Sequence, residues 1–101
     1  MASRQNLQDE LMKLLGSKNV YFQPPESIKM VYPAIKFSLV GEASKFADNA
    51  RYHRMNRYEL IVIYSGPDNP VLDKLLELPY CSFDRNYKTN NLNHDVFTLY
   101  Y

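Results

Sequence analysis

The fold is decided by the stretch Tyr58-Glu59-Leu60-Ile61-Val62-Ile63-Tyr64, which is rich in β-branched and aromatic residues. Alternate residues of a strand point to opposite faces, so Tyr58, Leu60, Val62 and Tyr64 share one face. Ile61 and Ile63 make the other face largely apolar as well. A strand that is apolar on both faces lies in the middle of a sheet, or has one face covered by a neighbouring subunit. We predict a central strand over residues 55–65.

A second strand is predicted from Ala34 onward, because Ile35, Phe37 and Leu39 alternate there with Lys36 and Ser38. Between the two strands lie residues Gly41–Asn56, which are too many for an ordinary hairpin connection. Long connections in small domains are usually functional or disordered. We therefore interpret Gly41–Asn56 as an extended β-arm or a flexible loop.

Two helices flank these strands. Residues Ser3–Leu15 carry leucines at helical spacing, and Gly16 is the expected stop. A second helix is predicted to begin at Asn69-Pro70, with Asn69 as N-cap and Pro70 at the first position, and to end before Pro79. A short β-prone run, Asn19–Gln23, lies between the first helix and the second strand.

The chain ends in two further predicted strands, Tyr80–Arg85 and His94–Tyr101, joined by an asparagine-rich turn over residues 86–93. The order of elements predicts a single α+β domain over residues 1–101. We expect a mostly antiparallel sheet of about five strands, two helices packed on one face, and a long β-hairpin arm.

Composition narrows the functional classes. The formal net charge is only +1, which argues against a protein that mainly wraps nucleic acid. No apolar run is long enough to cross a membrane, and the start lacks the apolar stretch of a secretory signal, so we expect assembly in the cytoplasm. Nine tyrosines and five phenylalanines in 101 residues are typical of either a sheet or a subunit interface.

The chain offers few residues for chemistry. Cys81 and His94 are the one nucleophile–base combination considered, although no local signature accompanies them. His53, His94, Asp84 and Asp95 are the candidate metal ligands, but the adjacent His94 and Asp95 would point to opposite faces of a strand. No metal-ligand or phosphate-binding motif is present. We expect no enzymatic activity, no metal and no cofactor.

A basic cluster lies near the end of the arm. Arg51, His53, Arg54 and Arg57 lie beside Tyr52 and Tyr58, mixing positive charge with stacking surface. Three interpretations stay open at this point. The cluster is a solvated strand edge protected against aggregation, a nucleic-acid contact, or an arm that docks onto an acidic partner protein.

Two segments resemble a known family, the tail terminator (tail-completion, head–tail joining) proteins of long-tailed bacteriophages. The first contains GSKNVYFQPP over residues 16–25, followed by MVYPAI over residues 30–35. The second contains LLELPYCSFDR over residues 75–85, continuing to NLNHDVFTLY over residues 91–100. The resemblance extends over nearly the whole chain, including the helix-first order and the long arm.

The resemblance implies a virion structural protein without catalysis. Such proteins form a ring, a hexamer in the family, that caps the tail tube, stops its polymerisation and joins the tail to the neck. The implied partners are further copies of the chain, the tail tube protein and a neck or head-completion protein, and DNA passes through the lumen without sequence-specific binding. The alternatives are another neck component or a small nucleic-acid-binding protein.

A ring needs two different patches on each subunit, because head-to-tail contacts close only when unlike surfaces meet. We expect the arm to contact the tube or an adjacent subunit through Lys45, Arg51, Arg54 and Arg57. The candidates for burial between subunits are Tyr58, Tyr64, Phe97 and Tyr101. Each of these four is equally suited to the core of the subunit itself.

Overall fold

The computed structural model describes residues 4–25, 29–46 and 52–101. For residues 42–46 and 52–55 it describes the backbone only. The elements, in chain order, are α1 (Arg4–Leu15), β1 (Val20–Phe22), β2 (Ala34–Phe46), β3 (Tyr52–Tyr64), α2 (Leu72–Leu76), β4 (Cys81–Thr89) and β5 (Leu92–Tyr100). The predicted α+β class, with five strands and two helices, is confirmed. No helix in the described residues is long and apolar enough to span a membrane.

The five strands form one mixed sheet in the order β1-β2-β3-β5-β4. β1 pairs with β2 in parallel, and the other three pairings are antiparallel. β3 is the middle strand, as its apolar residues on both faces predict. Its Leu60 lies opposite Phe37 of β2 on one side and Phe97 of β5 on the other. These three side chains are fully buried and form the centre of the core.

The main core lies on the sheet face that carries Leu60. Leu7 and Leu11 of α1 and Leu75 of α2 belong to the same buried cluster as these sheet residues. Ile63 and Val96 are also buried, but they lie on the opposite face, where the register alternates with that of Leu60 and Phe97. The sheet therefore buries apolar side chains on both faces.

The first helix agrees with its prediction, and the second is shorter than predicted. After α1, Gly16 has a φ of +78° and its N–H donates to the Met12 carbonyl at 2.9 Å. This conformation is the usual glycine ending of a helix. α2 spans only Leu72–Leu76, so Pro70 is not its first residue. Asn69 instead accepts the Val71 N–H at 2.8 Å, in a turn that precedes the helix.

The last hairpin is longer than predicted. β4 continues to Thr89 instead of ending at Arg85, and the turn contains only Asn90 and Asn91. Both residues have positive φ, 53° and 62°, which is the requirement of a two-residue type I′ hairpin turn. Asparagine tolerates this conformation, so the asparagine-rich stretch is mostly strand with a tight turn at its centre.

Phe97 and Phe83 offer a matched test of the core. Their rings meet edge to face with centroids 5.5 Å apart, but Phe97 is fully buried whereas Phe83 is 46% exposed. We expect Phe97→Ala to lower the free energy of unfolding by about 3–5 kcal/mol, because it leaves a cavity. Phe83→Ala should cost about 1 kcal/mol, the value of one aromatic pair. Urea unfolding measures both, and equal losses would contradict this assignment of the core.

Candidate assembly surfaces

The predicted arm residues lie along the outer parts of β2 and β3. These strands stay paired as far as Phe46 and Tyr52, with one irregularity between Leu39 and Gly41. Lys45 lies opposite His53, and Arg54 lies opposite Ser44, but their side chains are outside the described residues. Arg51 itself is also outside them. The prediction that these three residues contact a partner therefore stays a prediction.

Arg57 is described, and it packs across the base of this strand pair. Its Nη2 donates to the Val40 carbonyl at 3.4 Å, and its guanidinium lies over Gly41. A Cβ at Gly41 would come within 3.1 Å of Nη2, so glycine gives the guanidinium the space it occupies. Arg57 is exposed but already has an intramolecular contact.

Three of the four proposed intersubunit residues belong to the core of the subunit. Tyr58, Tyr64 and Phe97 are each less than 7% exposed and sit in the main buried cluster. Side chains that the subunit already buries leave almost no surface for a neighbour, so the core alternative applies to them. Tyr101 is half-buried, packs against the same cluster and donates from its hydroxyl to Glu10 Oε2 at 3.2 Å.

A buried carboxylate, Asp95, lies beside the core. Its Oδ2 accepts hydrogen bonds from the Tyr64 hydroxyl at 3.0 Å and from Asn69 Nδ2 at 2.9 Å. Its Oδ1 accepts from Asn86 Nδ2 at 2.6 Å. Burial, more than the hydrogen bond to Asp95, raises the pKa of Tyr64 above its ordinary value. The carboxylate ties β5 to β3, to β4 and to the turn before α2.

Cys81 and His94 do not form a nucleophile–base pair. In the β4–β5 register, Cys81 lies opposite Leu99, whereas His94 lies opposite Tyr87, six residues further along β4. At about 3.3 Å per residue this is roughly 20 Å. Burial also raises the pKa of the Cys81 thiol to about 11, which disfavours the reactive thiolate.

Three of the four candidate metal ligands do not converge, and the side chain of the fourth, His53, lies outside the described residues. Asp95 faces the core side of β5, and its neighbour His94 faces the other side, as predicted from the alternation of a strand. Asp84 forms an ion pair with Arg85 at 2.7 Å. Within the part of the chain that the structure describes, no group of three or more ligating side chains is placed to hold a metal ion.

The structure shows surfaces that the sequence did not reveal. The two edges of the sheet differ in how much open strand they present. β1, at one edge, has only three residues, and its Val20 carbonyl accepts a hydrogen bond from Gln8 of α1 at 3.2 Å. β4 forms the other edge and is exposed along its length after Cys81. The large apolar side chains that remain exposed there and nearby are Leu76, Tyr80, Phe83 and Tyr87.

A groove of about 300 Å³ lies on the sheet face opposite the main core. Ile61 and Ile63 form its apolar floor, and Lys36 lies beside them. Tyr87 and His94 line it as a stacked pair, with ring centroids 4.7 Å apart and planes 13° from parallel. The remaining lining residues are Pro24, Pro25, Met30 and Tyr32. No signal in the strand pattern marks this groove, because its lining comes from five separate segments.

No protein-family model, curated protein or solved structure matches this chain.

The hydrogen bonds to Asp95 can be tested by removing one donor or by removing the shared acceptor. Tyr64→Phe should lower the free energy of unfolding by about 1.5–3 kcal/mol, the value of a hydrogen bond to a charged group. Asp95→Ala should cost more than about 3 kcal/mol, because three donors lose their acceptor. Tyr87→Phe, at an exposed tyrosine, is the control and should stay within about 0.5 kcal/mol of wild type. Chemical denaturation measures these free energies of unfolding. A loss for Tyr64→Phe as small as that for Tyr87→Phe would contradict the hydrogen bond from Tyr64 to Asp95.

The raised pKa of Cys81 predicts slow thiol chemistry in the folded protein. A shift from 9.0 to about 11 lowers the thiolate fraction at pH 8 roughly a hundredfold. Because the folded-state pKa is the higher one, the associated stability is present below pH 9 and is lost as pH rises toward 11. Cys81 is the single cysteine, so the rate of reaction with a disulfide reagent, with and without urea, reports on it alone. Equal reaction rates with and without urea would contradict a raised pKa of Cys81 in the folded protein.

Proposed function

We propose that this protein is a virion structural subunit, the tail terminator of a long-tailed bacteriophage. Copies of the chain form a ring, six in the family it resembles, that caps the tail tube and stops its polymerisation. The ring joins the tail to the neck through a head-completion protein, and DNA passes through its lumen. The protein is assembled in the host cytoplasm, resides in the virion, and acts by binding without catalysis.

The observation that supports this proposal is that exposed apolar side chains lie on both faces of the sheet. Leu76 and Phe83 lie near α2 and on β4, where Phe83 faces the main-core side opposite Phe97. Tyr32 and Tyr87 lie around the groove on the other sheet face. Exposed apolar surface of this kind marks contact sites, and a ring needs two unlike patches on each subunit.

The β2–β3 strand pair supplies the third contact in this proposal. We take both helices to cover one face of the sheet, and the outer part of the strand pair to form a hairpin arm. The arm carries Lys45, Arg51 and Arg54, and Arg57 lies at its base. Positive charge at this position suits an acidic surface on the tube protein or on an adjacent subunit, where it sets orientation and association rate.

The test is negative-stain microscopy of phage particles made when this gene is disrupted. We expect overlong tails detached from full heads, because nothing stops tube polymerisation, and rescue by the wild-type gene. Complementation with Lys45→Glu, Arg51→Glu and Arg54→Glu combined should fail, while the purified variant keeps the wild-type circular dichroism spectrum. Lys88→Glu, on β4, is the control and should rescue.

Other outcomes would redirect the assignment. Tails of normal length beside unjoined heads would indicate a head-side neck component instead. Intact infectious particles would contradict any role in the neck. Full rescue by the arm variant would remove the arm from the mechanism but leave the terminator function in place.

A further inference from the structure

The groove on the second sheet face has the chemistry of a receptor for an apolar side chain next to an acid. Its floor is apolar, and Ile61 is only half-buried, so surface remains to be covered. The polar groups among its lining residues are the Lys36 ammonium, the His94 imidazole and tyrosine hydroxyls. No carboxylate lines it among the residues that the structure describes. An acidic segment would bring a charge partner to the half-buried Lys36.

The complementary chemistry lies on α2 of the same chain. Leu72 and Leu75 turn toward the core, which leaves Leu76 46% exposed on the outer side of the helix. Asp73 lies one turn before Leu76, and Glu77 follows it directly; both are exposed. We call Asp73, Leu76 and Glu77 the α2 patch. It presents an apolar side chain flanked by two carboxylates.

We propose that the α2 patch of one copy of this chain docks into the groove of a second copy. Leu76 covers the Ile61–Ile63 floor, and the carboxylates approach Lys36. The two surfaces match in both hydrophobicity and charge, and this match selects a second copy as the occupant. The proposal rests on the ring function above, for which it names the contact between subunits.

The positions of the two surfaces determine the symmetry. The groove lies on one face of the sheet, and α2 packs on the other. One chain cannot bring both together, and two chains that use one groove and one patch leave the second pair free. The contact is therefore heterologous and continues from copy to copy, and it closes into a ring when the rotation between neighbouring copies is a whole fraction of a turn.

The open β4 edge is a weaker candidate for this contact. Its strand pairing is interrupted between Phe83 and Arg85, and Asp84 and Arg85 form an ion pair with each other. Bulges and charged side chains are the features that keep exposed edges from pairing with other strands. The groove and the α2 patch are therefore the better candidates for self-association.

The experiment uses complementary variants of the full chain. Lys36→Glu reverses the charge of the groove and leaves the α2 patch intact. Leu76→Lys removes the apolar side chain of the α2 patch and leaves the groove intact. Each variant alone should be monomeric at concentrations where wild type self-associates, as measured by sedimentation velocity. An equimolar mixture should form a heterodimer and nothing larger, because only one intact groove and one intact patch meet.

Two further variants control this experiment. Lys88→Glu reverses a charge on β4 away from the groove and should assemble as wild type does. Lys36→Glu combined with Glu77→Lys exchanges the two charges and should recover self-association. Circular dichroism and thermal unfolding verify that each variant is folded, which we expect because Leu76 is exposed and Lys36 is only half-buried.

Weak association is detected by disulfide trapping. In a Cys81→Ser background the chain has no other cysteine, so Lys36→Cys and Glu77→Cys chains report only on the proposed contact. Mixed chains should form a cross-link that the Lys88→Cys and Glu77→Cys mixture does not form. Absence of that cross-link up to the solubility limit, or variants that assemble as wild type does, would overturn the proposal.

The two proposals fail in different ways. If rings form in vitro but Lys36→Glu and Leu76→Lys leave them intact, the docking contact is wrong and the terminator function is unaffected. If the mixing experiment succeeds but gene disruption leaves tails and heads normal, the chain self-associates as proposed and the terminator function is wrong.

Discussion

The structure depends on one constraint, which is that β3 carries apolar side chains on both faces. Leu60 and Val62 are buried in the main core cluster, and Ile63 is buried on the opposite face. Only the middle of a sheet can satisfy such a strand, so β2 and β5 flank it, and β1 and β4 are left at the edges. Leu7, Leu11 and Leu75 of the helices join the buried cluster around Leu60, whereas Ile61 on the other face remains half-buried in the groove. The same residues that fix the sheet order thus create the surface that we propose a neighbour covers.

Asp95 adds specificity to this apolar arrangement. A slip of one residue between β5 and its neighbours would move every side chain of β5 to the opposite face. Asp95 would then leave the Tyr64 hydroxyl and the Asn69 and Asn86 amides without their acceptor. Tyr64 is buried, and an unsatisfied buried donor costs about 1–3 kcal/mol. The carboxylate therefore adds a penalty of its own against the wrong register to the cost of displacing the apolar residues of β5.

The sequence was most informative where periodicity and turn chemistry act locally. The two-faced pattern of residues 58–64 placed β3 in the middle, and the leucine spacing with Gly16 placed α1. Periodicity left alternatives open where tertiary contacts decide. Tyr58 and Phe97 have the same alternation whether the chain itself or a neighbouring copy covers them, and both are buried in the main core cluster. The groove joins residues from five segments, so no single stretch of sequence contains it.

The self-association that we propose requires surfaces that are incomplete yet do not aggregate. An open edge of nine residues can pair with any extended chain, and the interrupted pairing near Phe83 and the charges of Asp84, Arg85 and Lys88 oppose this. A groove that combines an apolar floor with Lys36 favours a more selective contact, in which an apolar side chain lies next to an acid. A chain with a net charge of +1 has little overall repulsion between copies, so local charge has to supply this selectivity. The groove and the α2 patch are therefore better suited than the strand edge to the self-association that we propose.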